Sequence, residues 1–305
     1  MSDVRRTLPD GATVAMRAMR DGWGIRTASW PDGRRGSILF LNGRGDFIEK
    51  WAEALHDWRA RGFGLATFDW RGQGGSGRLL PDRQKGHSPG YDVWLADLAE
   101  QVAWFRATHP GPHYAVAHSM GGHLLLRHLE AAPGDFDRAV LLAPMTGLKA
   151  EPLGPAGARV VAGIAHLLWL DVRYAPGSGP LVRGTPGSVR QRRLTSDLDR
   201  YGDEGWWLET RPELALGGIT NGWLHATFAS LDRLWGRGAL ERVTTPLLVM
   251  VAAHEGLVDN AATARAVERL PDAFLQTVDG AAHELMREVD AIRRPVMDGI
   301  AGFLE

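Results

Sequence analysis

A serine hydroxyl becomes a nucleophile only when an imidazole takes its proton and an acid fixes that imidazole's tautomer. A hydrolytic serine must therefore be sought together with a histidine and a carboxylate. The stretch Val116-Ala117-His118-Ser119-Met120-Gly121-Gly122 offers the serine. The apolar run 114–117 has the character of a short buried strand, and residues 121–129 open a helical apolar pattern, which sets Ser119 on the turn between them. Such a turn strains the serine backbone and requires small residues two positions before and two after. Gly121 meets that need fully and Ala117 nearly. The turn lifts the hydroxyl above the sheet edge and aims the Met120 backbone N–H toward the place where an oxyanion would form. The plainer alternative is an N-cap serine in a chain with 38 glycines.

On a strand-turn-helix architecture of this kind the chain order is Ser, then Asp or Glu, then His. Of 11 histidines, His254 and His283 are late enough, and only His283 follows Glu255. It stands in the Gly/Ala loop 279–284, ahead of a closing helix. The acid has two candidates: Glu255 at a strand's end, and Asp259 at the start of the next helix, where it could equally serve as an N-cap. Position favours Glu255. His118 cannot fold back onto its neighbour's hydroxyl on so tight a turn and reads as a packing residue or as a support behind the catalytic groups. A second oxyanion donor is expected in the turn Asn42-Gly43-Arg44-Gly45, from the Arg44 backbone N–H; a plain strand-to-helix connection is the alternative. The cluster Gly72–Gly77 lacks the Gly-Lys-Ser/Thr ending of a phosphate loop and reads as a tight loop anchored by an Arg71–Asp69 pair. No histidine spacing implies a metal.

The elements that must hold these residues follow from periodicity. Apolar runs at 36–41, 65–68, 114–117, 138–144 and 246–253 read as buried parallel strands, and 47–61 and 93–105 as helices between them. A hairpin turning at Asp21-Gly22 precedes them, and a helix over 260–270, a strand over 273–278 and a last helix complete the pattern. The expectation is an α/β fold, a mostly parallel sheet flanked by helices. The regular alternation stops between about 145 and 238, where five of the 12 tryptophans gather. That stretch is expected to be a helical cap inserted between core segments 1–144 and 239–305, with an apolar helix around 160–170 covering a pocket. The 35 basic and 36 acidic residues leave no basic block for nucleic acid, and the absence of cysteine removes thiol chemistry. A soluble cytoplasmic protein is expected, with room for contact at a membrane surface.

The runs 41–51, 69–78, 117–122 and 255–260 together resemble the bacterial lysophospholipase and monoacylglycerol lipase branch of the α/β-hydrolases, nearly end to end. The resemblance implies a serine carboxylester hydrolase acting on a single-chain lipid, with the cap after the sixth strand and no cofactor. It places the nucleophile on Ser119, the base on His283, the acid on Glu255 and the oxyanion donors on Arg44 and Met120. Asn42-Gly43 stands where the broad family has His-Gly, and Ala117 stands where it has glycine. A short-chain carboxylesterase or acyltransferase with the same triad, and a non-catalytic binding protein on the same scaffold, are the alternatives.

Overall fold

Each apolar run finds strand neighbours on both sides, and so becomes a buried strand of one sheet. The structure is a computed structural model and describes residues 4–88, 90–181 and 184–305. In chain order it contains β1 (Thr13–Ala18), β2 (Gly24–Trp30), β3 (Ser37–Leu41), α1 (Ala52–Ala60), β4 (Gly64–Phe68), α2 (Tyr91–Thr108), β5 (His113–His118), α3 (Met120–Ala131) and β6 (Arg138–Leu142). There follow α4 (Gly154–Leu167), α5 (Val189–Leu194), α6 (Leu198–Thr210) and α7 (Asn221–Leu234). The chain closes with β7 (Leu247–Ala252), α8 (Asn260–Val267), β8 (Ala273–Val278) and α9 (Asp290–Leu304). The eight strands lie in the order β1-β2-β4-β3-β5-β6-β7-β8. The first hairpin and the β2–β4 pair are antiparallel and the remainder parallel.

From β3 the chain steps outward to β4, then crosses back over β3 to β5 and runs on to β8 in the opposite direction. Right-handed crossovers therefore put α1 on one face of the sheet and α2 and α3 on the other. The reversal falls between β3 and β5, which pair in parallel with Leu41 opposite Ala117. Ligands bind at such a switch point, beyond the carboxyl ends of the strands. The turn after β3 carries Arg44 and the turn after β5 carries Ser119, so both arrive at one place.

Two expectations are corrected here. The loop after β4 is tight, but its anchor is not Arg71–Asp69. The antiparallel β2–β4 pairing sets Arg26 beside Asp69, and the Arg26 Nε donates to the Asp69 carboxylate at 2.7 Å. Arg71 instead makes a bidentate pair with Asp97 and a further pair with Asp21. The apolar helix of the inserted stretch starts earlier than expected, at Gly154, and ends at Leu167. Its alanines Ala158, Ala162 and Ala165 are buried, whereas Val160, Ile164 and Leu167 face outward and Trp169 beyond it is 89% exposed. Among the described residues no helix is long and apolar enough to cross a membrane.

Candidate active site

Ser119 has φ 54° and ψ −116°, a backbone conformation that L-residues rarely adopt. Such strain costs about 1–3 kcal/mol and persists only where the surroundings over-determine it. Here they do: the Ser119 N–H donates to Leu142 O of β6, and its carbonyl accepts from the N–H of both His123 and Met145. The small-residue requirement is also visible. A Cβ on Gly121 would lie 2.5 Å from Leu41 O and 2.6 Å from Asn42 O, backbone atoms that have nowhere to go. Gly121→Ala is thus expected to lower stability by about 1–3 kcal/mol and to cut esterase activity through the displaced turn. A denaturation midpoint equal to the parent's would refute the clash.

His283 stands between β8 and α9, buried beside the turn, with its Nε2 3.0 Å from Ser119 Oγ. Its Nδ1 lies 2.7 Å from Glu255 Oε2. Glu255 Oε1 accepts from the N–H groups of Leu257 and Val258, so the acid is clamped by the turn that follows β7. Burial works against the Glu255 carboxylate, yet His283 and these N–H groups hold its pKa below the usual glutamate range. Asp259 does not join this chain: it caps α8, accepting from the Ala261 N–H at 2.9 Å. His118 packs between Trp51 and His283 with its ring tilted 58° to each, and its Nε2 lies 3.2 Å from the His283 carbonyl.

The turn after β3 lies against Ser119, since a Cβ on Gly43 would come within 3.3 Å of Ser119 Cβ. Its N–H groups are sorted. Gly43 donates to Asp46 Oδ2 and Gly45 to Gln73 Oε1, leaving the Arg44 N–H between them without an acceptor among the described residues. Met120 opens α3, so no carbonyl of its own helix reaches its N–H. The glycine-rich loop after β4 buttresses this turn, through Gln73 and through Trp70 Nε1, which donates to Asn42 O.

Sequence reasoning missed a buried charge network beneath the site. Lys50 Nζ donates to Asp46 Oδ1 and Glu284 Oε1, both at 2.6 Å, and stands 3.5 Å from Glu204 of α6. Arg287 pairs with Glu284 and Arg190 with Glu204. The chain has three lysines, and the one signal in the sequence was the i, i+4 spacing of Asp46 and Lys50. The network ties the turn after β3 (Asp46), the histidine loop (Glu284) and the inserted helices together. The Glu284 N–H also donates to Leu194 O of α5.

Burial opposes every charge in this network, but the cations prevail. Asp46 and Glu284 titrate below the usual carboxylate range, and Glu204 falls to about 2. Acids depressed in the folded state contribute stability that is fully present above their unfolded pKa values, about 4, and lost as pH falls through the folded ones. Asp69, pushed up to about 6 by burial, works the other way and offsets part of this. Urea midpoints are expected to hold from neutral pH to about 5 and to drop steeply between about 4 and 2. A midpoint at pH 3 equal to that at pH 7 would contradict this.

Ser119, His283, Arg44 and Met120 open on a cavity of about 950 Å³. Its walls carry Met145, Leu148, Val161, Leu208, Leu216 and Leu224 among others. Of the five tryptophans expected in the inserted stretch, Trp223 lines it. Trp206 and Trp207 belong to a separate small cluster around Phe47. A cavity of this size, mostly apolar with a few convergent polar groups, is suited to a small organic ligand. Among the described residues no cluster of His, Cys, Asp and Glu could hold a metal ion.

The chain is similar over most of its length to known proteins. Residues 32–290 match the family described as Hydrolase_4, Serine aminopeptidase, S33. Lysophospholipase L2 of Escherichia coli (strain K12) is 31% identical over 285 residues, covering 87% of this chain and 79% of that protein. The probable lysophospholipase L2 of Haemophilus influenzae is 27% identical over 268 residues, covering 88% of this chain and 83% of that one. In fold the chain is similar to a soluble variant of monoglyceride lipase from Saccharomyces cerevisiae, with a TM-score of 0.77 at 18% identity. That match covers 99% of this chain and 97% of the yeast one. The chain belongs to the Hydrolase_4 family of α/β-hydrolases, as a relative of the lysophospholipases L2, and is a carboxylic ester hydrolase.

Proposed function

We propose that this enzyme releases the fatty acid of a lysophospholipid or monoacylglycerol through an acyl-enzyme formed on Ser119. The observation that carries this reading is the unbroken chain Ser119 Oγ–His283 Nε2 at 3.0 Å and His283 Nδ1–Glu255 at 2.7 Å, opening on a large apolar cavity. Ser119 Oγ attacks the ester carbonyl while His283 Nε2 takes its proton. The Arg44 and Met120 N–H groups hold the oxyanion of the tetrahedral intermediate. As that intermediate collapses, His283 returns the proton to the departing glycerol oxygen. Water, deprotonated by His283, then attacks the acyl-enzyme and frees the fatty acid. Glu255 keeps the proton on Nδ1, so that Nε2 can accept, and stabilises the imidazolium. Residues 145–238 form the cap over the acyl chain. The names of the relatives support the lipid substrate, and the cavity's apolar walls suit its tail.

The test is fatty-acid release from a matched panel of lysophospholipid, monoacylglycerol and short-chain p-nitrophenyl esters, with Ser119→Ala alongside. Dominant turnover of the long-chain lipids, lost in the variant, is the expected result. Cleavage of short esters alone would overturn the lipid assignment and keep the triad. Activity persisting in Ser119→Ala would overturn the mechanism.

A further inference from the structure

Buried charges in proteins are paired, because an unpaired one forfeits its hydration with nothing in return. The cations that line the cavity are paired with one exception, the half-buried Arg44. Lys50 faces Asp46 and Glu284, Arg190 faces Glu204, and Arg193 faces Glu151. Arg44 has no ion-pairing carboxylate among the described residues. Its NH1 donates to the Gly217 carbonyl at 3.1 Å, and its guanidinium lies 5.9 Å from the Trp223 ring centroid. The guanidinium also lies close to Gly86, where an added Cβ would stand 2.6 Å from NH1. Desolvation pushes its pKa down to about 10, with Asp46 and the neighbouring cation Arg190 acting in opposite senses. The group is therefore still charged at neutral pH, and it forms part of the cavity wall. A guanidinium carries five N–H donors in a planar fork, and a single carbonyl leaves most of them for a ligand.

We propose that the Arg44 guanidinium receives the phosphate of the substrate's head group, so that the enzyme takes lysophospholipids in preference to uncharged monoacylglycerols. The inference rests on the proposed ester hydrolysis at Ser119, and its geometry follows from that reading. Arg44 offers its backbone N–H to the ester oxyanion and its side chain to the cavity. The tether from the ester carbon of a lysophospholipid to its phosphorus, and that from Arg44 Cα to its guanidinium carbon, run through a similar number of bonds. One residue thus spans the reacting carbonyl and the phosphodiester. A planar fork suits the phosphate oxygens, whereas the glycerol hydroxyls of a monoacylglycerol bring no charge to offset the desolvated cation.

The test compares lysophosphatidylglycerol with monoacylglycerol of the same chain length, reading kcat/KM for each in the parent, Arg44→Gln and Arg44→Lys. The Arg44 backbone N–H survives both substitutions, so the decisive quantity is the ratio of the two substrates. Arg44→Gln is expected to lower that ratio by about 10- to 100-fold, and Arg44→Lys to restore part of it. Both substrates falling together would show that the side chain only shapes the oxyanion turn, and would overturn the proposal. A second measurement is independent of turnover and of the variants' folding. Calorimetry on Ser119→Ala is expected to show binding of glycerol 3-phosphate and none of glycerol. Equal binding of the two would overturn the proposal. Inorganic phosphate binding as tightly as glycerol 3-phosphate, without lysolipid preference in turnover, would make this a free-phosphate site and overturn the head-group assignment. Were the parent to hydrolyse neither lipid, the catalytic reading would fail while the calorimetry still decided the phosphate site.

Discussion

Ser119→Ala is expected to reduce kcat on the preferred lipid ester by roughly 10⁵–10⁶-fold while leaving substrate binding and the fold nearly intact. The size follows from the mechanism: without Oγ there is no covalent intermediate, and His283 has no proton to accept. What remains is water attack assisted by the oxyanion N–H groups and by the cavity. The fold should survive, because the bonds that hold the turn are made by the Ser119 backbone: its N–H to Leu142 O and its carbonyl to the His123 and Met145 N–H groups. Alanine at φ 54° carries strain similar to that of serine, so the thermal midpoint should move little. The variant should also fail to react with a fluorophosphonate probe that labels the parent. Labelling of the variant would mean that another nucleophile is at work.

Glu255→Gln is expected to lower kcat on the order of 10⁴-fold at neutral pH with little change in KM. The carboxylate accepts from His283 Nδ1–H and from the Leu257 and Val258 N–H groups, an arrangement that only an acceptor fills. Glutamine can preserve the packing, but when its amide presents N–H to Nδ1 the ring proton moves to Nε2. That nitrogen then cannot accept from Ser119 Oγ. A merely structural role would leave the pH profile unmoved, so the profile of kcat/KM between pH 5 and 9 is the measurement to make. A parent-like profile with a small loss would assign Glu255 to packing. Asp259→Asn provides the contrast: Asp259 caps α8 and lies outside the His283 chain, so this change is expected to cost at most a few tenths of a kcal/mol of stability, since asparagine caps nearly as well.

Much of this site is legible without coordinates because its parts are local. The turn at Ser119 is a short-range pattern, a strand followed by serine and glycines followed by a helix, and the expected order of serine, acid and histidine reduces 11 histidines to one. Position and resemblance favoured Glu255 over Asp259, but only the three-dimensional structure shows which of them meets His283. Both stand within a few residues of the end of β7, and the direction of the turn after that strand decides which of them meets His283. The Arg71–Asp69 expectation failed for a related reason. Two charges close in sequence invite a pairing, but the antiparallel register of β2 on β4 brings Arg26 to Asp69 instead.

The sequence by itself determined the α/β pattern, the strand-to-helix turn at Ser119 with its glycine, and the order in which Ser119, Glu255 and His283 arrive, because hydrophobic period and turn chemistry act over a few residues. Only the tertiary structure decided which charges meet. Lys50 reaches Glu284 across 234 positions, and α5 holds the histidine loop by its backbone. Among the described residues Arg44 is left without an acidic partner on the cavity wall. Contacts of that range are set by how the layers pack, and by the cost of burying each charge once they have.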